Sequence, residues 1–322
     1  MFICLSGTGW LWLLLGIVCF SLFFWMFCYI VASYLVYTKT LSRGSKNNWS
    51  RDLPSSLDEE SLTMYDIGKK WSAKNIACKK DVHIVNQGLN LYGEYYDFGK
   101  ETCVMILSGR TESLRYGYFF AESYSDRCNV LVLDPRAHGL SDGEYNTVGF
   151  EESKDILAWV KFVNQELKIN SIIFHGICIG AAGGLFAITN EECPECVKAI
   201  ITEGMFPNFG ESMKNHLIER KKPVFIFYNM VDGWMKHYTG HSMSYGPINI
   251  IDKLEKPLLM LHSKEDLYST PDYAEKLFSL ASTKTKELVW FDHGAHSKIR
   301  INNMEKYDLA INEFLDRINI NK

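Results

Sequence analysis

The sequence predicts an α/β domain, with a mostly parallel sheet and helices on both faces, preceded by one membrane-spanning helix. Three observations lead there. From Asp81 onward, short runs rich in Val, Ile and Leu alternate with helical patterns. One of those runs passes through Gly176-Ile177-Cys178-Ile179-Gly180 straight into the small-residue segment AAGGLFA at 181–187. The first 38 residues contain no Asp, Glu, Lys or Arg. Strands that alternate with helices form a parallel sheet covered on both faces.

The N-terminal element is justified by length. Residues 10–37 are almost wholly apolar and aromatic, longer than the ~20 residues that span a bilayer. The basic n-region, short apolar core and small-residue cleavage site of a signal peptide are not seen. Core helices of this length keep a polar face. The expectation is an uncleaved single-pass anchor over residues 1–38. Nothing basic precedes the span, whereas Lys39, Arg43, Lys46 and Arg51 follow it. The positive-inside rule then places the rest of the chain in the cytoplasm. Residues 39–80 read as a linker (SRGSKNN at 42–48) and a juxtamembrane helix over 61–77.

Residues 81–322 read as one domain of ordinary size. The runs 82–85 and 89–96 alternate in polarity on either side of NQG, as the arms of a β-hairpin do. Further strands are expected at 104–107, 130–133, 172–174, 199–201, 258–261 and 288–291, with helices over 151–167 and 305–318. Residues 205–256 interrupt the alternation and are expected to form a cap. Its Phe206, Phe209, Met213, Phe225, Trp234 and Met235 suit an apolar acyl or aryl pocket, and equally suit packing of the cap onto the sheet.

Composition excludes some functions. The formal net charge of −4 carries no basic footprint for nucleic acid. Of nine cysteines, Cys4, Cys19 and Cys28 lie in or near the anchor. Cys193 and Cys196 form a lone C-x-x-C without the second pair that a zinc site needs, and read as a loop thiol pair. A cytosolic setting keeps such thiols reduced.

A strand, a G-x-[nucleophile]-x-G turn and a helix form a nucleophile elbow. Its glycines are needed because the turn is sharp and the central residue strained. Cys178 holds the central position and requires a base, an orienting acid and an oxyanion hole. The chain order of such sites is nucleophile, acid, histidine. Asp266, in the segment LHSKEDLY, is the acid, with Glu265 its rival. His296, in FDHGAHS, is the base, because the small residues before it permit a tight turn; His293 is its rival. The backbone N–H groups of Ile179 and of Arg110, with Thr111 as second choice, are expected to bind the oxyanion. Thr111 and Glu203 are candidates for substrate contact, although Glu203 also suits a structural ion pair. The Arg110 side chain suits either an anionic substrate group or solvent. His175 reads as a core histidine behind the turn.

These features resemble the α/β-hydrolase superfamily, in particular its serine aminopeptidase and monoacylglycerol lipase-like branch, over roughly residues 81–320. The segment DPRAHGLSDG at 134–143 is similar to the D-x-R-G-H-G-x-S-x-G stretch of that branch, with Ala137 where glycine is usual. The resemblance implies architectural roles for Arg136 and His138. Most members hold serine at the nucleophile position. Cys178 is instead similar to the cysteine of dienelactone hydrolases and of the bile-acid-CoA amino-acid acyltransferase group.

The implied activity is hydrolysis of a small or lipid-like acyl substrate through Cys178, His296 and Asp266, with a covalent acyl-thioester and no metal or organic cofactor. A thiolate expels an alkoxide or thiolate more readily than an amide anion. Esters, lactones and thioesters are therefore favoured over peptides. An acyltransferase with the same triad, and an inactive hydrolase-fold sensor or scaffold, are the alternatives.

Overall fold

A computed structural model describes residues 7–44, 54 and 57–320. Most of the expected linker, Cys4, Lys46 and Arg51 lie outside the described residues.

Helix α1 (Gly7–Leu41) is long and apolar enough to cross a bilayer, and its side chains from Leu11 to Ile17 and Leu22 to Phe27 stand exposed. Helix α2 (Glu59–Lys74) begins at Asp58, whose Oδ1 accepts the Ser61 N–H at 2.9 Å, with Glu59 and Glu60 in its first turn. Such a cap and acidic first turn satisfy and complement the helix N-terminus. α2 is not a linker element: it buries Met64, Tyr65 and Trp71 against the domain. The sequence does not announce this packing, because α2 is polar on its outer face.

The sheet has eight strands in the order β1-β2-β4-β3-β5-β6-β7-β8. The hairpin of β1 (Lys79–Asn86) and β2 (Leu89–Tyr96) turns at Gln87 and Gly88, both at positive φ. β2 pairs antiparallel with β4 (Asn129–Leu133). β3 (Thr102–Leu107), β5 (Ser171–Ile177), β6 (Val197–Glu203), β7 (Leu258–Ser263) and β8 (Lys286–Phe291) continue the sheet in parallel.

Period-two alternation sorts each strand between two cores. Cys103, Met105 and Leu107 of β3 face the layer of α4 (Phe150–Gln165), α5 (Ile179–Ile188) and α8 (Pro271–Leu280). Val104 and Ile106 face α2, α3 (Leu114–Ala121), α9 (Ile299–Asn302) and α10 (Met304–Arg317). Both faces are covered, so the central strands are mostly apolar, with polar residues such as His175 and Glu203 near their C-terminal ends.

The cap holds α6 (Phe209–Glu219) and α7 (Val224–Thr239). Its expected C-terminal portion instead joins the body, because Ile250, Ile251 and Leu254 pack into the α4–α5 core. A third apolar cluster joins the cap to the end of α1 through Tyr37, Leu41, Phe209, Met213, Val231 and Met235. Beyond it, the Arg43 guanidinium donates to the carbonyls of Gly139 at 2.7 Å and Ser141 at 3.2 Å.

Candidate active site

β5 ends at Ile177, and the chain reverses through Cys178 at φ 53° and ψ −113° before α5 begins. A non-glycine residue in this region is strained and persists only where its surroundings over-determine it. Here the surroundings are backbone. A Cβ on Gly180 would lie 1.9 Å from the Leu107 carbonyl oxygen, and one on Gly176 would lie 2.5 Å from the Ala181 Cα. Only glycine lets α5 approach β3 and β5 this closely, and that approach holds the Cys178 side chain at the parallel strands' C-terminal edge. Ile179 opens α5, so its N–H has no acceptor within the helix.

The residues predicted around Cys178 divide clearly. The His296 Nδ1 lies 2.7 Å from Asp266 Oδ2, while Asp266 Oδ1 accepts the N–H groups of Tyr268 at 2.9 Å and Ser269 at 2.8 Å. Asp266 is thus fixed from both sides. The rivals pair with each other at the surface: His293 Nδ1 is 3.3 Å from Glu265 Oε1, and both side chains are largely exposed. Cys178 and His296 line one pocket with Gly109, Arg110, Thr111, Tyr116, His216 and Arg220. Just after β6, Gly204 takes φ 59°, and a Cβ there would sit 3.1 Å from His296 Cε1.

Charge follows this geometry. Burial alone would push the Asp266 carboxyl up, but the adjacent His296 and the Ser269 N–H outweigh it and hold it below the usual carboxylate range. Burial likewise disfavours a charged His296, yet Asp266 and the neighbouring Cys178 hold it well above an ordinary histidine. His216, at the pocket wall, is pushed down to about 3 by burial and then by Arg110, His296 and Arg220, so it is neutral.

The loop after β3 carries Arg110 and Thr111 to the pocket. The buried His138 bridges the Arg136 carbonyl, at 2.8 Å from Nδ1, and the Arg110 carbonyl. It thereby fixes the peptide between Arg110 and Thr111. Arg136 grips Asp155 with two hydrogen bonds of 2.7 and 2.8 Å. The Arg110 guanidinium does not reach out to solvent; it donates to the Thr40 carbonyl at 2.5 Å, at the end of α1. The last turn of α1 therefore braces the loop facing Cys178.

Glu203 does not line the pocket, which corrects its reading as a substrate contact, and it forms no ion pair among the described residues. Strand register turns it to the α10 face of the sheet. There it accepts the Tyr307 O–H at 2.6 Å and the Ile299 N–H at 3.2 Å. Burial pushes its carboxyl up to about 7, against these two hydrogen bonds. His175 continues the chain, its ring nitrogens 3.0 Å from the hydroxyls of Tyr307 and Tyr124.

Sequence reasoning missed three neighbours of the site. Tyr268 sets its ring edge-on to His296 at 5.6 Å, His216 stacks on Tyr268 at 3.4 Å, and Tyr116 donates to the Ser297 carbonyl at 2.8 Å. Tyr268 was legible as a residue two positions from Asp266; nothing in the sequence marks the other two. Cys193 and Cys196 lie at the far end of β6, with the Cys193 thiol pushed up to about 11 by burial.

No protein-family model matches the chain. An uncharacterized protein of Bacillus subtilis, YqkD, is 29% identical over 220 residues, which is 67% of this chain and 70% of that protein. Among solved structures, the esterase Pf2001 of Pyrococcus furiosus superposes with a TM-score of 0.65 at 21% identity, covering 84% of this chain and 98% of its own. An alpha-beta hydrolase from Vibrio vulnificus gives 0.58 at 18% identity, over 82% and 89% of the two chains. A hydrolase from Pseudomonas aeruginosa gives 0.56 at 15% identity, over 73% and 98%. The architecture is that of the α/β hydrolases.

Proposed function

We propose that the chain is a membrane-anchored hydrolase that cleaves an ester, lactone or thioester through Cys178, with His296 as base and Asp266 as orienting acid. The observation that carries this reading is the His296–Asp266 pair at 2.7 Å, set in one pocket with a cysteine in the strained elbow position. The likeness to esterases of the same fold supports the reaction class.

In the proposed cycle the Cys178 sulfur attacks the acyl carbonyl. The N–H groups of Ile179 and of Arg110 stabilise the oxyanion, acting where charge develops. The raised proton affinity of His296 suits it to protonate the leaving group. Water then attacks the thioester as His296 takes its proton; the Cys178 S–C bond breaks, the acid leaves and His296 returns the proton to the sulfur, while Asp266 keeps the ring in place. No step needs a metal or organic cofactor.

Anchoring by α1 is part of the same reading. Tyr37 and Leu41, at the C-terminal end of α1, are fully buried in the domain, which favours an anchor retained in the working protein over a cleaved leader. The basic residues that follow the span favour a cytoplasmic domain.

The test is hydrolysis of acyl esters and thioesters by the full chain in detergent. Wild type should turn over a thioester. Cys178→Ala and His296→Ala should each lose at least ~10³-fold in kcat/KM. Adding amine or alcohol acceptors separates hydrolysis from acyl transfer: a transferase yields the acceptor-linked product at the expense of free acid. Equal rates in wild type and Cys178→Ala would refute the assignment.

A further inference from the structure

The packing of α7 on α1 leaves one face of the cap unaccounted for. Trp234 donates to the Ser33 hydroxyl at 2.8 Å and stacks edge-on with Tyr34. One turn later, Tyr238 stacks on Tyr37 at 5.4 Å. The partners advance together, so the two helices run in the same direction where they touch. Tracing α7 back from Trp234 therefore follows α1 back toward its exposed apolar stretch.

Phe225 lies ~13 Å back along α7 from Trp234. It is 81% exposed, and Ile226 is 45% exposed. On the adjoining end of α6, Ile218 is 63% exposed. Arg220, Lys221 and Lys222 stand between these apolar residues, exposed, and form no ion pair among the described residues. At 35 residues, α1 is ~50 Å long, beyond the ~30 Å of a hydrocarbon core, so its last turns have room to dock on the domain while the rest spans. Tyr34, Tyr37, Trp234 and Tyr238 cluster at that junction, the residue types that gather at membrane–water interfaces.

We propose that the tip joining α6 to α7 is a second membrane contact. In it, Phe225, Ile226 and Ile218 enter the leaflet from which α1 emerges, and Arg220, Lys221 and Lys222 meet acidic headgroups. This rests on the reading of α1 as a retained anchor. It also specifies where substrate comes from. Phe209, Ser212, His216 and Arg220 of the cap line the pocket that holds Cys178, and Arg220 borders the tip. The pocket wall runs down to the leaflet, so the acyl substrate is an amphiphile drawn from the membrane.

The test places the full chain in vesicles that carry a phosphatidylcholine with a photoreactive acyl chain, with and without phosphatidylserine. Adducts are mapped by peptide mass spectrometry. The expected result is adducts both on α1 and on residues 223–227, the latter increased by phosphatidylserine. Phe225→Asp combined with Ile226→Asp should abolish the adducts at the tip and retain those on α1. Lys221→Glu combined with Lys222→Glu should remove the phosphatidylserine effect. With a vesicle-embedded acyl ester the first double variant should lose turnover, while hydrolysis of a soluble aryl ester is unchanged. Adducts on α1 alone would overturn the tip contact and leave the anchor standing. Chain-to-chain cross-links at the tip without lipid adducts would overturn it in favour of a second copy on this face. Absence of adducts on α1 would overturn the anchor and the tip together.

Discussion

The β5–α5 elbow and the α6–α7 cap both contribute to one pocket, the cap through α6 and Arg220, and are built on opposite terms. At the elbow the contacts are backbone against backbone, and there is no space for even a methyl group on Gly176 or Gly180. The cap meets the body through long, adaptable side chains such as Phe209, Met213 and Met235, and leaves Phe225 and Ile226 bare. The Cys178 sulfur is positioned by main chain, whereas the cap wall rests on side chains and on the end of α1 that braces them.

The sharpest way to break this contrast is to make one substitution in each region. Gly180→Ala drives a carbon into the Leu107 carbonyl, which the backbone cannot relieve. The expected cost is ~3 kcal/mol or more, read as loss of soluble full-length protein or a collapsed thermal transition. Phe225→Ala, which removes far more atoms from the cap, should shift stability in detergent by ~0.5 kcal/mol or less.

A second prediction addresses α1. Deleting residues 1–28 leaves Ser33, Tyr37, Leu41 and Arg43 in place, and the domain should fold in detergent with its activity intact. Deleting residues 1–44 strips the fully buried Tyr37 and Leu41, worth ~1.5–3 kcal/mol for each buried side chain, and removes the Thr40 carbonyl that holds Arg110. Turnover of even a soluble ester should then fall, and thermal melts of the two truncations should differ accordingly.

The third concerns Glu203, behind the site. Its folded-state carboxyl is raised to about 7, so between the ordinary carboxylate range and pH 7 the folded protein keeps a proton that the unfolded chain has lost. Stability from this group is therefore fully present at low pH, falls as pH rises through that window, and is level above it. A shift of this size corresponds to about 3 kcal/mol. Glu203→Gln should flatten that part of the stability–pH curve, measured by denaturant melts from pH 5 to 8.

A smaller effect than that of Glu203 belongs to Ala137, which takes φ 64° where glycine is usual in similar sequences. Ala137→Gly relieves the left-handed strain and should stabilise the protein by ~1 kcal/mol, partly offset by added freedom of the unfolded chain.

Much of this was legible in the sequence, for identifiable reasons. Strand runs and the glycine-flanked turn carry local signals, so the eight strands and the elbow could be read directly. α3 could not, because its eight residues make little more than two turns, too few to display a helical period. The preference for His296 over His293 rested on the Gly-Ala before it, and the structure places His296 in the pocket and His293 at the surface. The direction of Glu203 depends on strand register, which its neighbours do not report. The docking of α1 was hidden because its exposed residues and those that meet Trp234 share one apolar composition.

The most direct test of the central proposal is to trap the acyl intermediate. The full chain in detergent is mixed with an acyl thioester, quenched in acid and digested for mass spectrometry, alongside Cys178→Ala and His296→Ala. The expected result is an acyl group on Cys178 within the assay time, absent from Cys178→Ala and formed far more slowly in His296→Ala. A folded protein that turns over the thioester without ever acylating Cys178, or whose Cys178 stays inert to every donor, would contradict it.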